Sequence, residues 1–431
     1  MLYLLGCLGC LLLSPCLTSA SAAAVSTTTA SSTAAPPNPD VALVKAHVAA
    51  NAHLTFRPAS GVLKFPYLVP GGPYNQTWDW DSLFMGVAMR DHGSTPYLAG
   101  TMRNFLDHTN VSNGQVQGGL TPEGATNVIY HAKPVIIQGA WLAAKGDAAL
   151  IKEMRAYQPQ MEALLAYWGR APRIDPRTGL RVWHDQLESG SDNLATSACP
   201  SLRSPCWNEA TDAFTLASAD VNMFLHREHL AFARFAAAWG DLPLSRTHEA
   251  ASRSIVQAIN THLWREDLGY YVALNVSTGK QIEARVWLMG LPLWGGAATP
   301  AQMTKVVDNI VSSDMLSPWG VRSTSAADPR YDNTNEIKPY SNWRGPIWTN
   351  ANALLMYGAS SYGGEARRIA VDLARNVTRA LADDLRATGT WHECLSADTG
   401  KGLAAPGFLS WDTLIGTLYD DVVAGHDPFA L

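Results

Sequence analysis

Ile369-Ala370-Val371-Asp372-Leu373-Ala374-Arg375-Asn376-Val377-Thr378-Arg379-Ala380-Leu381-Ala382-Asp383-Asp384-Leu385 places a branched apolar side chain at every fourth position and fills most of the gaps with polar or small ones. That period puts all five on one face of a helix, and Gly389 supplies the stop that a helix C-terminus favours. From Ala219 to Trp239 the pattern recurs through Val221, Phe224, Leu225, Phe232 and Phe235, and Gly240 ends it. The same test along the chain predicts about twelve helices, starting near 40, 80, 95, 130, 147, 217, 244, 281, 300, 343, 364 and 409. Only Gly61 to Val69 and Gly269 to Leu274 read as short hairpins.

Twelve helices form either a solenoid of hairpins or a closed double ring. A solenoid would show a repeat of about 34 to 47 residues, and none is found. Instead, long connections at 53–79, 110–129, 170–215, 266–280, 314–341 and 388–408 alternate with tight ones. Six long loops at one end are what six helical hairpins closed into a barrel would give. The expected fold is all-α, an (α/α)6 barrel with its loops over one mouth. Most of the fifteen tryptophans fall in or beside those loops.

The 431 residues are 47% apolar and 16% charged, enough for a large core, and the net charge of −5 offers no basic surface for nucleic acid. Leu2 to Leu17 is an apolar block too short to span a bilayer comfortably, and Thr18-Ser19-Ala20-Ser21-Ala22 resembles a cleavage site. Residues 1–22 read as a secretory signal, 23–39 as a disordered Ser/Thr/Ala/Pro linker, and 40–431 as the folded domain. Export to an extracellular or lumenal compartment follows, without stable membrane insertion once the signal is removed. Cys199 and Cys206 close a short loop suited to a disulfide in that setting, and Cys394 stays free. Four N-x-S/T sequons stand at Asn75, Asn110, Asn275 and Asn376, of which Asn75 would crowd the motif beside it.

Two segments interleave aromatic and charged residues. Asn342-Trp343-Arg344-Gly345-Pro346-Ile347-Trp348-Thr349-Asn350-Ala351 presents two indoles and a guanidinium where a helix begins, and Tyr74-Asn75-Gln76-Thr77-Trp78-Asp79-Trp80-Asp81 does the same with carboxylates. Indole faces stack on the apolar faces of sugars, and planar guanidinium forks bind hydroxyls or carboxylates. Leu187-Glu188-Ser189-Gly190-Ser191-Asp192-Asn193 and Trp391-His392-Glu393 add carboxylates on two further loops. Cleaving a glycosidic bond needs one protonated and one ionised carboxyl. Asp192 and Glu393 are the candidates. Alone, each would read as a turn or solvated loop residue; the aromatic and arginine context and their separate loops argue otherwise.

Taken together, Trp78-Asp79-Trp80-Asp81, Glu188 to Asn193, Asn342 to Trp348, His392-Glu393 with Asp398-Thr399-Gly400-Lys401-Gly402, and Phe408-Leu409-Ser410-Trp411 resemble glycoside hydrolase family 63 and, more distantly, the trehalases of family 37. The match in order and spacing covers residues 40–425. The resemblance implies an (α/α)6 barrel, inversion at an α-glycosidic bond, Asp192 as general acid and Glu393 as general base, with neither metal nor cofactor. An inverting pair stands roughly 6.5 to 9.5 Å apart. Glu188 and nearby aromatics are expected to help Asp192 hold its proton.

Members that trim glycoproteins carry a β-rich domain ahead of the barrel, whereas here only signal and linker precede the first helix. The segment Phe65 to Tyr74 is similar to that of the compact mannosylglycerate and glucosylglycerate hydrolases. Their substrates carry a carboxylate, so a cation is required in the leaving-group subsite, and Arg344 and Arg227 are the candidates. The resemblance places Tyr74, Trp78, Trp80, Asp81, Gln138, Glu188, Trp343, Arg344, Trp348 and Trp411 around the substrate. The chain departs from the pattern at Leu194-Ala195-Thr196, where Ser-Pro-Arg is common, and at Leu187, where an aromatic is common. Both departures bear on the leaving-group subsite. The rival readings are a trehalase or another small α-glucosidase, a non-catalytic sugar-binding protein, and a different α/α barrel using the Asp79/Asp81 pair.

Overall fold

The computed structural model describes residues 38–126, 130–196, 214–335 and 341–431, and within it Asn38–Leu431 forms one compact unit. The secretory signal and the Cys199/Cys206 pairing fall outside the described residues.

Burial sorts the helices into two rings. All ten residues of α2 (Asp79–Ala88) are buried, as are sixteen of twenty in α7 (Ala219–Ala238) and twelve of thirteen in α11 (Thr349–Ser361). By contrast, five of twenty-one are buried in α8 (Leu242–His262) and ten of twenty-five in α12 (Gly364–Thr388). A helix buried all round must be interior, and one with a single apolar stripe must cover it.

The inner members close a ring. α2 packs on α4 (Ile136–Ala144), α4 on α7, α7 on the turn and helix α9 (Leu291–Trp294), α9 on α11, and α11 on the 3-10 turn Ser410–Leu414 that leads into α13 (Ile415–Ala424). That turn returns to α2. Outside stand α1 (Pro39–Asn51), α3 (Thr95–Asp107), the pair α5 (Ala148–Met154) and α6 (Gln158–Trp168), α8, α10 (Pro300–Ile310) and α12. Outer and inner helices alternate along the chain. This is the (α/α)6 barrel.

Local chemistry explains the boundaries. Asp147 caps α5 through the backbone N–H groups of Ala149 and Leu150, and Thr299 with Gln302 forms a capping box on α10. Gly389, at φ 79°, closes α12 in the left-handed conformation that a residue with a Cβ resists.

Three expectations are corrected. The helix expected near 147 is two helices, the second beginning at Gln158-Pro159. The helix expected near 130 starts at Ile136, because Val135, at φ −131° and ψ −3°, stands outside helical geometry. The segment near 281 instead pairs as strand Lys280–Ile282 with Ala273–Asn275, which also pairs with Leu216–Ala217. Both expected hairpins exist with displaced partners: Phe56–Arg57 with Tyr67–Leu68, and Trp264–Arg265 with Tyr270–Tyr271. Unforeseen was the pair His392–Leu395 with Gly402–Pro406.

Candidate active site

The aromatic motifs lie just before or at the N-terminal ends of inner helices, so these ends surround a cavity of about 690 Å³. Tyr74, Trp78, Trp80 and Asp81 line it from the start of α2; Tyr130, His131 and Lys133 precede α4; Leu187, Glu188, Gly190 and Asp192 come from the long loop before α7. Ser341 and Trp348 precede α11, and Glu393, Phe408 and Trp411 complete the wall. The loop 266–280 contributes nothing to this lining.

Asp192 and Glu393 face this space from different loops. Asp192 is 8% exposed, and its Oδ2 accepts a 2.7 Å hydrogen bond from the Ser341 hydroxyl. Ser341 Oγ in turn accepts from Trp343 Nε1 at 2.9 Å. A serine carries one hydrogen. With Trp343 as donor to it, that hydrogen points at Asp192 Oδ2, leaving Oδ1 to carry an acidic proton. Burial pushes Asp192 up to about 7; Ser341 opposes this, as does the positive charge of Lys133.

Glu393 is raised by a strand irregularity. The register between His392–Leu395 and Gly402–Pro406 shifts between His392 and Cys394, a bulge that re-aims the intervening side chain. Opposite it, Ala404 holds φ 63° and its N–H donates to Asn335 Oδ1 at 2.7 Å. The Tyr74 hydroxyl donates to both Glu393 oxygens, at 3.1 and 3.3 Å. Burial pushes Glu393 up to about 7, and the charges of Asp81 and Asp192 push the same way against Tyr74. Burial also lifts Asp81 to about 7, although Ser410 donates to it at 2.6 Å.

Several expected residues are placed differently. Glu188 reaches the cavity wall, but its carboxylate pairs with Arg173 and accepts the N–H groups of His131 at 3.1 Å and His184 at 2.7 Å. It braces the loop, and burial rather than Glu188 is the main force raising Asp192. Trp343 does not line the cavity. It stacks on Trp348 at 4.0 Å with 4° between planes, behind the exposed face. Arg344 donates through Nε to the Asn193 carbonyl at 2.8 Å, tying the motif to the Asp192 loop. Gln138 is fully buried below the cavity, donating to the Pro134 carbonyl and accepting from Arg227 Nε at 3.1 Å. Arg227 lies over the Trp294 ring at 3.9 Å and donates to the Phe429 carbonyl, so neither expected arginine faces the cavity.

Sequence reasoning missed Lys133 and Ser341. Each stands immediately before a helix-starting element, Pro134 in one case and the Asn342 motif in the other, and that position was the available signal. Among the described residues, no group of His, Cys, Asp and Glu is arranged to hold a metal ion.

A family model for the mannosylglycerate hydrolase MGH1-like glycoside hydrolase domain matches residues 74–411, from Tyr74 to Trp411. The chain belongs to that family. Its sequence is 22% identical to the cytosolic neutral trehalase of Kluyveromyces lactis over 384 residues, covering 74% of this chain and 50% of that protein. It is 21% identical to the periplasmic trehalase of Shigella flexneri over 356 residues, covering 72% and 59%. The chain thus spans about half to three-fifths of the length of the curated relatives it matches. In structure it is similar to the GH63 mannosylglycerate hydrolase of Thermus thermophilus in complex with Tris and D-glycerate, with a TM-score of 0.70 at 18% identity, over 88% of this chain and 100% of that one. It is similar to the neutral trehalase of Saccharomyces cerevisiae with a TM-score of 0.61 at 17% identity, over 84% and 76%. These likenesses show the fold.

Proposed function

We propose that this chain is an inverting α-glycosidase acting on a small acidic glycoside, of the 2-O-α-mannosylglycerate or 2-O-α-glucosylglycerate type. The observation that carries the reading is two buried carboxyls from separate loops, each meeting one side-chain hydroxyl and facing one aromatic-walled cavity. Membership of the family and the D-glycerate bound by a structural neighbour support the acidic aglycone.

In this reading Asp192 Oδ1 donates its proton to the glycosidic oxygen as the bond to the anomeric carbon breaks. Glu393 takes a proton from a water whose oxygen attacks the opposite face of that carbon, giving the β-hexose and the free alcohol of the aglycone. Tyr74 fixes the Glu393 carboxylate for this, and Trp80, Trp348 and Trp411 supply the sugar platform while Asp81 accepts from sugar hydroxyls. Glu393 ends protonated and Asp192 ionised, and proton exchange resets the pair.

Hydrolysis of mannosylglycerate, glucosylglycerate and trehalose by purified protein, followed by anomer-resolved NMR, tests the reading. The β-anomer is expected first. Release of the α-anomer first would remove the inverting assignment, and turnover of trehalose alone would move the substrate to the trehalase type seen among the relatives.

The N-terminal reading belongs to the same proposal: residues 1–22 as a secretory signal, then the linker expected over 23–39, which gives way to the catalytic domain where Asn38 caps α1. Among the described residues, no helix is long and apolar enough to cross a membrane. Peptide mass mapping of the exported protein tests it, with an N-terminus near Ala23 and glycan on the exposed Asn110 as the expected result.

A further inference from the structure

We infer that the ammonium group of Lys133 is the receptor for the carboxylate of the leaving group, and that it sets the preference of this site for anionic over neutral glycosides. The inference rests on the acidic-glycoside reading above and replaces the two arginines that the motifs suggested. Among the described residues, Lys133 is the only lysine or arginine lining the catalytic cavity.

Its surroundings hold the charge and leave donors over. Nζ lies 4.8 Å from the centroid of Trp80, a ring that lines the cavity, so the ring face stabilises the cation where it stands. Asp79 Oδ1 forms a long ion pair with it at 3.5 Å. Asp79 is itself engaged by the backbone N–H groups of Trp80 and Lys133, both at 2.6 Å. It therefore fixes the start of the lysine arm at its backbone and balances the charge from a distance. An ammonium has three N–H donors, and among the described residues the Asp79 pair engages one of them, which leaves two for a ligand.

Room for this arm is built into the neighbouring loop. Gly190, two residues before Asp192, holds φ 80°, and a Cβ there would come within 2.6 Å of the Trp80 ring and 2.9 Å of Lys133 Cε. The glycine lets the lysine lie across the indole. The loop geometry places it on the leaving-group side: Gly190, which abuts the lysine arm, stands two residues before Asp192 on the same loop, and the charge of Lys133 reaches Asp192. The general acid touches the glycosidic oxygen. In a 2-O-glycosylglycerate the carboxylate is bonded to the carbon carrying that oxygen, so it must lie close to the acid. A cation near Asp192 and free to donate meets that requirement.

The test compares two substrates that differ only at this group: a 2-O-α-glycoside of glycerate and the same hexose on glycerol, in which CH2OH replaces the carboxylate. Wild type is expected to favour the glycerate glycoside in kcat/KM by about 100-fold, the worth of one charge-assisted contact. Lys133→Gln is expected to reduce that ratio to within about 3-fold of unity, and Lys133→Arg to keep much of it. If Lys133→Gln lowers both substrates equally, Lys133 does not select the anion, and the proposal fails while the glycosidase reading stands. If wild type hydrolyses the glycerol glycoside or trehalose but not the glycerate glycosides, the acidic-substrate reading fails and takes the proposal with it. Should Lys133→Gln not fold, competitive inhibition by D-glycerate and by glycerol is measured in wild type and Lys133→Arg. A glycerate constant no tighter than that of glycerol in wild type would overturn the assignment.

Discussion

The interior below the cavity is as polar as the cavity itself, and the difference between them lies in how many partners each group has. Below, Glu228 accepts from the N–H of Ile137 at 2.8 Å and from Gln138 at 3.4 Å, Gln138 joins Arg227, and Arg227 reaches the Phe429 carbonyl. The Phe429 ring seals the floor against Phe84, Trp294 and Tyr357. Above, Asp192 is held by the hydroxyl and backbone of Ser341, and the two Glu393 oxygens share the one Tyr74 hydroxyl, so each carboxyl keeps lone pairs for a substrate. Burial is common to both regions. Incomplete satisfaction is what marks the upper one as a site, because a matched buried group stabilises a fold while an unmatched one has been kept for another purpose.

Removing the under-satisfied carboxyls gives the largest expected effect. Asp192→Asn and Glu393→Gln should each lower kcat/KM on the preferred glycoside by about a thousandfold, within the range of general acid and base catalysis. Both should remain folded. Asp192 ionises near 3.8 when unfolded and at about 7 when folded, so between those values the folded chain holds the more protons and stability falls as pH rises. Asp192→Asn removes that dependence, and thermal melts at pH 7.5 should show a gain of about 2 kcal/mol. A loss of stability there would erase the distinction between the two regions.

The matched groups should behave in the opposite way. Glu188→Gln leaves Arg173 buried with its charge uncompensated, and a loss of about 3 kcal/mol is expected from denaturant unfolding. Phe429→Ala empties the floor and should cost about 3 to 4 kcal/mol. Below its lowered melting temperature, Phe429→Ala should keep kcat/KM within a few-fold of wild type. A hundredfold loss in the folded variant would mean that floor and cavity are coupled.

How much of this was legible in the sequence follows the same division. Helical period found the rings, because a stripe of apolar residues is a local property, and it is strong in the segment from Ile369 to Leu385. Asp192 and Glu393, the proposed catalytic pair, were legible as members of co-linear motifs. What the sequence could not display was which atoms are already engaged. Arg344 beside two tryptophans reads as a sugar-binding cation, but its Nε meets the Asn193 carbonyl, a contact 151 residues distant in sequence. Glu188 and Asp192 look alike four residues apart, and only Arg173 with two backbone N–H groups separates a brace from an acid. Strands this short and the Glu393 bulge carry no clear period, so the hairpin beneath Glu393 had no signature to read.

The smallest expected effects are shifts in the pH profile, and they probe the single partners directly. In an inverting site the alkaline limb of kcat/KM reports loss of the proton from the acid, and the acidic limb reports protonation of the base. Ser341 donates to Asp192 and so favours its ionised form. Ser341→Ala removes that donor, and the alkaline limb should move up by about one pH unit while the acidic limb stays close to its wild-type position. Asp81 acts on the other limb. Its negative charge raises Glu393, so Asp81→Asn should move the acidic limb down by about half a unit, superimposed on a loss of rate from the missing sugar contact. A merely structural role for Ser341 would lower the whole profile without displacing either limb. Opposite displacement of the two limbs by two substitutions on opposite sides of one cavity would tie the acid to Asp192 and the base to Glu393, an assignment that loss of activity in the carboxyl variants alone cannot make.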